Sequence, residues 1–316
     1  MNTPTSLKVD LINDCNERCS FCPYYGAEGR VINEGLRLIP KTVLDLPLLT
    51  RLFEDVQGMV RRIKFSGQGE ATLHPQFREI IALAHGMGFD LKLITNGTTL
   101  KRNAADVQAH VRDVSVSVHG VGEIHDRIVG LRGAFDKAMT GLDLLKESEG
   151  ALEEVRMVFV ITATNLDQVS SIMALSKEKG IPVIFYLDFL PGLHAPMPLD
   201  RFRQTVEEIR REGFAVSPNL PVEELARFMS PGSYVLQPHD CDHVGKELEI
   251  DSNGDVYVCR SDVMGNLHQE SMRSIIEGTT RRRFLTVIEQ ETHSDCGLDK
   301  KLCDRCCYQH PPLKPL

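Results

Sequence analysis

The chain of 316 residues has no excess of basic side chains: 36 Lys and Arg stand against 44 Asp and Glu, for a net charge of −8. Phosphate neutralisation supplies most of the affinity of nucleic-acid binders, so this balance argues against one. No apolar run reaches the roughly 20 residues that cross a bilayer. The start, MNTPTSLKVDLIND, lacks the basic and apolar regions of a secretory signal. The expected address is therefore the cytoplasm, where thiols stay reduced. Internal repeats and low-complexity tracts are missing too. Hydrophobic residues at 42% and charged residues at 25% are ordinary for a globular protein. The length allows one large core plus a smaller appended unit.

Cysteine is absent from positions 23 to 240, and this gap is informative. Nine cysteines crowd the two ends: Cys15, Cys19 and Cys22, then Cys241, Cys259, Cys296, Cys303, Cys306 and Cys307. An odd number cannot pair fully within one chain. Clustered cysteines in a reducing compartment read as metal ligands or reactive thiols.

Between the clusters, apolar runs and amphipathic segments alternate. Strands are expected at 7–12, 61–70, 90–97, 113–120, 154–162 and 181–190. Helices are expected at 41–58, 77–88, 134–148 and 165–180, with one more between the third and fourth strands. Strands alternating with helices argue for a parallel sheet with crossover helices. Six strands fall short of the eight of a closed barrel, so a partial (β/α)6 TIM-type barrel fits, followed by a small cysteine-rich C-terminal domain. The expected division is a core over 1–195, a bridge over 196–235 and an auxiliary-cluster domain over 236–316. The segment 214–233 reads as irregular. The last segment has little apolar core of its own, and a metal would supply the missing stability.

Cys15, Cys19 and Cys22 are spaced C-x3-C-x2-C on a loop after the first strand. Three thiolates hold three irons of a [4Fe–4S] cluster and leave the fourth iron open. A zinc knuckle is the competing reading, but zinc asks for a fourth ligand nearby. The motif, with Phe21 before its third cysteine, resembles that of the radical S-adenosylmethionine (SAM) superfamily. The resemblance implies that SAM binds the open iron and is cleaved to a 5′-deoxyadenosyl radical that abstracts hydrogen. It also implies an electron donor such as flavodoxin or ferredoxin.

Further segments carry the resemblance from about residue 7 to 190. Gly67-Gln68-Gly69-Glu70 is similar to the family's GGE loop, with Gln68 and Gly69 filling its last two positions before the glutamate. There Gly67 and Gly69 would let backbone approach SAM, and Glu70 would accept from its ammonium; an ordinary turn is the alternative. Asn96 lies in Thr95-Asn96-Gly97, which resembles the family's TNG. Ser117 resembles a ribose-contacting serine. His119 stands where the family usually has aspartate, and is either a site residue or a partly buried histidine. Asn165 would lie near the adenosine, or cap a helix.

Cys241 and Cys259 fit C-x12-G-x4-C around a hairpin turn at Asp251–Asp255, and Cys303-Asp304-Arg305-Cys306 is a two-ligand bite. Four thiols suffice for a second [4Fe–4S] cluster; a zinc ribbon is the alternative. The pattern resembles the twitch or SPASM extension of radical SAM enzymes, and the absence of a further cysteine after Cys306 favours the shorter twitch type. Cys296 and Cys307 remain as hydrogen-atom donors or plain structural cysteines, and Cys307 competes with adjacent Cys306 as a ligand.

Only 14 residues precede Cys15, so a leader-peptide-binding domain ahead of it is not expected. Small enzymes of the resembling type act on polyols and aminosugars. The leading expectation is epimerisation, with Cys296 or Cys307 returning hydrogen, or dehydrogenation of such a small molecule; the acidic balance would suit a cationic aminosugar. Modification of a peptide or protein side chain is the second expectation, and a non-catalytic zinc-binding scaffold the third. Tyr186, Asp188 and His194 are candidate pocket residues.

Overall fold

The computed structural model describes residues 4–22, 24–25, 41–146, 150–188, 196–230, 246–258 and 262–289. Cys241, Cys259, Cys296, Cys303, Cys306, Cys307 and His194 lie outside the described residues.

The six expected strands all form: β1 (Ser6–Val9), β2 (Arg62–Phe65), β3 (Asp90–Thr95), β4 (Asp113–Ser117), β5 (Glu154–Ile161) and β6 (Val183–Leu187). They pair in parallel in sequence order. The connecting helices are α1 (Leu46–Val56), α2 (Phe77–Gly86), α3 (Leu100–His110), α4 (Glu123–Val129), α5 (Ala134–Lys146) and α6 (Val169–Lys179). Local chemistry marks their starts and stops. Asp45 caps α1 by accepting from the Leu48 amide at 2.8 Å, and α6 ends at Gly180 in the left-handed conformation.

Every second residue along the strands packs with the helices. Leu7 and Val9, Ile63 and Phe65, Leu91 and Leu93, Met157, Phe159 and Ile161, and Val183, Phe185 and Leu187 belong to one buried cluster. Each such side chain contributes about 1.5–3 kcal/mol when fully buried. The intervening residues occupy the other face, which in a barrel-like sheet is the lumen.

Two stretches depart from expectation. The described part of segment 214–233, up to residue 230, is not irregular: helix α7 (Leu199–Arg211) is followed by β7 (Ala215–Ser217), which extends the sheet parallel to β6, and by α8 (Val222–Phe228). A three-residue strand beside Pro218 and Pro221 carries too few positions for a readable period. At the other edge, β8 (Glu247–Ile250) and β9 (Asp255–Val258) form the expected hairpin, with Gly254 at φ +80° in its turn. The hairpin joins the main sheet, because β8 pairs in parallel with β1 along its whole length. β10 (Asp262–Asn266), α9 (Met272–Glu277) and α10 (Thr279–Glu289) follow. The sheet is open, in the order β10-β9-β8-β1-β2-β3-β4-β5-β6-β7. Among the described residues no helix is long and apolar enough to cross a membrane.

Candidate active site

The chain leaves β1 directly into the cysteine loop, and α4 holds that loop in place. The amides of Arg18 and Ser20 donate to the Val129 and Ile128 carbonyls at 2.8 and 2.9 Å. A helix end has no internal partner for such carbonyls, so the loop completes α4. Cys19 and Phe21 pack with Ile124 and Leu131 against a small apolar cluster of Ile128, Val129 and Ala134. Gly130, at φ +67°, turns the chain where a Cβ would stand 3.1 Å from the Arg18 carbonyl oxygen.

Cys15, Cys19 and Cys22 are half-buried free thiols on this one loop. The Glu17 amide points at Cys15 Sγ at 3.4 Å and the Tyr25 amide at Cys22 Sγ at 3.3 Å. Burial pushes the Cys15 thiol up to about 12, and raises Cys19 and Cys22 as well. A metal therefore has to displace protons here, and the amides aimed at sulfur favour the resulting thiolates. Among the described residues no three His, Cys, Asp or Glu side chains converge on a single ion. An iron–sulfur cluster takes each thiolate on a different iron, so three soft donors on one loop fit it without such convergence.

The glycine loop lies against β1. Gln68 and Gly69 amides reach the Asp10 carboxylate at 2.7 and 3.5 Å, and the Glu70 amide donates to the Asp14 carbonyl at 2.9 Å. A Cβ on Gly67 would stand 2.1 Å from Asp10 Cγ, and one on Gly69 1.9 Å from the Ile12 carbonyl oxygen. The close approach that requires glycine is thus to β1 and the cysteine loop. Glu70 is buried, and its Oε1 accepts from the Thr72 amide at 3.1 Å and the Thr95 hydroxyl at 2.7 Å. Its Oε2 accepts from the Asn96 amide at 2.7 Å. Glu70 thereby ties the end of β2 to the end of β3. Asn96 turns to the cysteine loop, with Nδ2 2.8 Å from Asn16 Oδ1 and 3.9 Å from Cys15 Sγ.

Ser117 closes β4, half-buried. Two residues on, the buried His119 ring meets the Phe21 ring edge-on, with centroids 4.8 Å apart. The Val160 amide donates to His119 Nδ1 at 3.2 Å, and the His119 amide donates to His125 Nδ1 at 3.0 Å. Burial pulls His119 down to about 3 and His125 to about 4, so both stay neutral near pH 7. Asn165 is fully buried, and its side chain does not cap a helix. Its Nδ2 donates to the Val160 carbonyl at 2.9 Å and the His119 carbonyl at 3.3 Å, while Oδ1 accepts from the Thr162 amide at 2.8 Å. Tyr186 is exposed on the lumen side of β6, and Asp188 is buried just beyond that strand.

The structure thus brings together Cys15, Cys19, Cys22, Phe21, Gly67, Gly69, Glu70, Asn96 and His119 around the end of β1. Sequence reasoning passed over Asp10 and Glu17. Asp10 is the one acid inside the apolar run LKVDLI, a signal open to notice. Glu17 gives none in the sequence, yet it is buried, its Oε1 has no hydrogen-bond partner among the described residues, and burial pushes its carboxyl up to about 8.

The radical SAM superfamily model matches residues 9–162, and the iron–sulfur cluster-binding SPASM domain matches residues 241–307. The sporulation killing factor maturation protein SkfB of Bacillus subtilis is 27% identical over 179 residues, 56% of this chain. This chain spans only 40% of SkfB's length. A probable GTP 3′,8-cyclase of Saccharolobus islandicus is 24% identical over 301 residues, covering 89% of this chain and 93% of that one. The crystal structure of Streptococcus suis SuiB bound to S-adenosylmethionine shares the fold at a TM-score of 0.64 and 15% identity, covering 88% of this chain and 66% of that one. The first match implies a [4Fe–4S] cluster with SAM, and the second implies auxiliary iron–sulfur chemistry in the C-terminal part. The chain carries a radical SAM domain over residues 9–162 and an iron–sulfur cluster-binding SPASM domain over residues 241–307.

Proposed function

We propose that the protein removes a hydrogen atom from a carbinol carbon of a small polyol-type substrate held at the C-terminal ends of the barrel strands, in a net two-electron oxidation. The observation that carries this reading is the seam between β1 and β8. The strand that leads into Cys15 is paired in parallel with the first strand of the SPASM hairpin, and the Asp10 amide donates to the Ile250 carbonyl at 2.8 Å. Cys15 follows one strand of this pair, and in the sequence Cys241 and Cys259 flank the hairpin that holds the other. A carbon that has lost a hydrogen atom must shed one more electron and a proton to become a carbonyl. A second cluster held by the SPASM segment would be a suitable electron acceptor.

Cys15, Cys19 and Cys22 would hold the first cluster, and Cys241, Cys259, Cys303 and Cys306 the second. When bound, the first cluster and SAM supply the 5′-deoxyadenosyl radical that takes the hydrogen atom. Gly67, Gly69, Glu70, Asn96, Ser117 and Asn165 form the surrounding wall, with Phe21 behind the loop. Oε2 of Glu70 keeps acceptor capacity for an ammonium beyond the Asn96 amide. His119 accepts at Nδ1, so its neutral ring carries the proton on Nε2. It offers a fixed N–H donor and does not shuttle protons near neutral pH.

The likeness to SkfB favours a second reading, modification of a peptide or protein. Epimerisation remains the competing outcome, with Cys296 or Cys307 returning the hydrogen atom.

The test starts from anaerobically reconstituted wild type. It should hold about eight irons and form 5′-deoxyadenosine from SAM and dithionite, whereas Cys15→Ala/Cys19→Ala should hold about four and form none. Cys303→Ala/Cys306→Ala should also hold about four irons, keep SAM cleavage and lose the oxidised product. Full product formation by that variant, or deuterium entering one product carbon from deuterated water, would sink the oxidative reading.

A further inference from the structure

The barrel lumen gathers cations as well as acids. On the face opposite the helices, Lys8, Lys64 and Lys92 stand side by side in register on β1, β2 and β3. Strands lie about 4.8 Å apart, so these are adjacent cations. Arg156 joins them from β5, where it is in register with Ser115 of β4. Two of the lysines are neutralised by the SPASM hairpin: Lys8 pairs with Glu249 at 2.9 Å and Lys64 with Glu247 at 3.3 Å. The end of the Arg156 guanidinium pairs with Glu154.

What is left over is donor capacity. Half-buried Lys92 makes no ion pair or hydrogen bond among the described residues, not even with Asp113, its register partner on β4. Arg156 Nε is buried and has no acceptor. Both groups only donate, and a buried donor such as Arg156 Nε is costly to leave without an acceptor. Burial, with Arg156 and Lys64 close by, also pulls the Lys92 ammonium below its usual range, against the opposing effect of Asp113 and Glu154. An anion between the two groups would accept from Arg156 Nε and offset the cations around Lys92.

We propose that Lys92 and Arg156 form an anion-binding subsite in the lumen, which holds a carboxylate or phosphate group of the substrate. The subsite lies about 10 Å below the end of β3, three residues at about 3.3 Å each from Thr95. It would anchor the far end of a molecule whose reacting carbon sits at the cysteine loop. A substrate anionic at one end replaces the cationic aminosugar suggested by whole-chain charge. That the anion belongs to a substrate rests on the oxidation reading above; that the subsite binds an anion does not.

Binding of inorganic phosphate and of malonate to the reconstituted full-length protein separates the two anion sources. One of them should bind wild type, at least tenfold more weakly to Lys92→Gln, and within threefold of wild type to Lys92→Arg. Arg156→Lys, which keeps charge but deletes Nε, should lose three- to tenfold, and gives an independent readout if Lys92→Gln folds poorly. Lys137→Gln, on the exposed side of α5, should bind as wild type does. Binding of neither anion to wild type, or equal binding across all variants, overturns the subsite. In the same preparations, anion binding without 5′-deoxyadenosine from SAM would defeat only the radical reading. Deoxyadenosine without anion binding would defeat only this one.

Discussion

Along β2, Ile63 and Phe65 are fully buried against the helices while Arg62 and Lys64 occupy the opposite face. The same division runs through β3, where Leu91 and Leu93 are buried and Lys92 is half-buried on the lumen side. On β5, Met157 and Phe159 are buried and Arg156 and Val158 half-buried. One face has apolar partners at every position and pays no desolvation. The other carries cations set against hairpin glutamates, with Lys92 left over. An ordinary parallel sheet covered on both faces would be apolar on both. The charged second face therefore marks a lumen open to a polar ligand, and the division between faces separates stability from recognition.

The largest test of that division is a pair of neighbours on β5. Phe159→Ala should cost about 3–5 kcal/mol of unfolding free energy, because it empties a closed site. Val158→Ala, one residue away on the lumen face, should cost about 1 kcal/mol or less by the same denaturant titration. Similar costs for both would erase the distinction.

Glycines at the top of the sheet give the next contrast. Gly69→Ala drives a Cβ into the backbone of Ile12 and Asp14 and should lower stability by about 1–3 kcal/mol, visible as a falling melting temperature. Gly86→Ala, at the end of α2 with nothing within 4 Å, should be neutral or slightly stabilising. A tolerated Gly69→Ala would mean the glycine loop is not wedged against β1.

The buried histidines give a pH-dependent difference. Their folded values, about 3 for His119 and about 4 for His125, lie below the usual 6.5. The folded state therefore binds fewer protons than the unfolded one. Their contribution is complete above pH 6.5 and is lost as pH falls from there through about 4. His125→Phe should flatten the melting-temperature profile across that window, and an unchanged profile would show that His125 does not titrate on unfolding.

The smallest expected effect concerns the lumen charges. Glu247→Gln and Glu249→Gln together remove the acid partners of Lys64 and Lys8, and should tighten phosphate or malonate binding a few-fold at low salt, less at high salt. Weaker binding would mean the hairpin acids shape the lumen more than they neutralise it.

Much of this molecule was open to reading in advance, and for definable reasons. The six long strands announce themselves because apolar runs bounded by turn residues leave few alternatives. Cys15, Cys19 and Cys22 point to a cluster because three thiols at that spacing on one loop suit three irons of a [4Fe–4S] cluster. Strand β7 stayed hidden because three residues carry no period. Glu17 stayed hidden because nothing local tells a buried glutamate from a solvated one. The acidity of the chain suggested a cationic substrate, but net charge is a sum over the whole surface, and Lys8, Lys64, Lys92 and Arg156 share one interior face.

The sequence by itself determined the local chemistry: where cysteines cluster, where the first six strands run, and that a second cysteine-rich unit follows the first. Spacing and period are properties of neighbours along the chain. The tertiary structure decided where distant residues meet. It placed β8 on β1, turned Glu70 into the link between β2 and β3, and aligned three lysines across three strands. Those meetings depend on sheet order and register, which are set by the packing of the whole core and are written in no single segment.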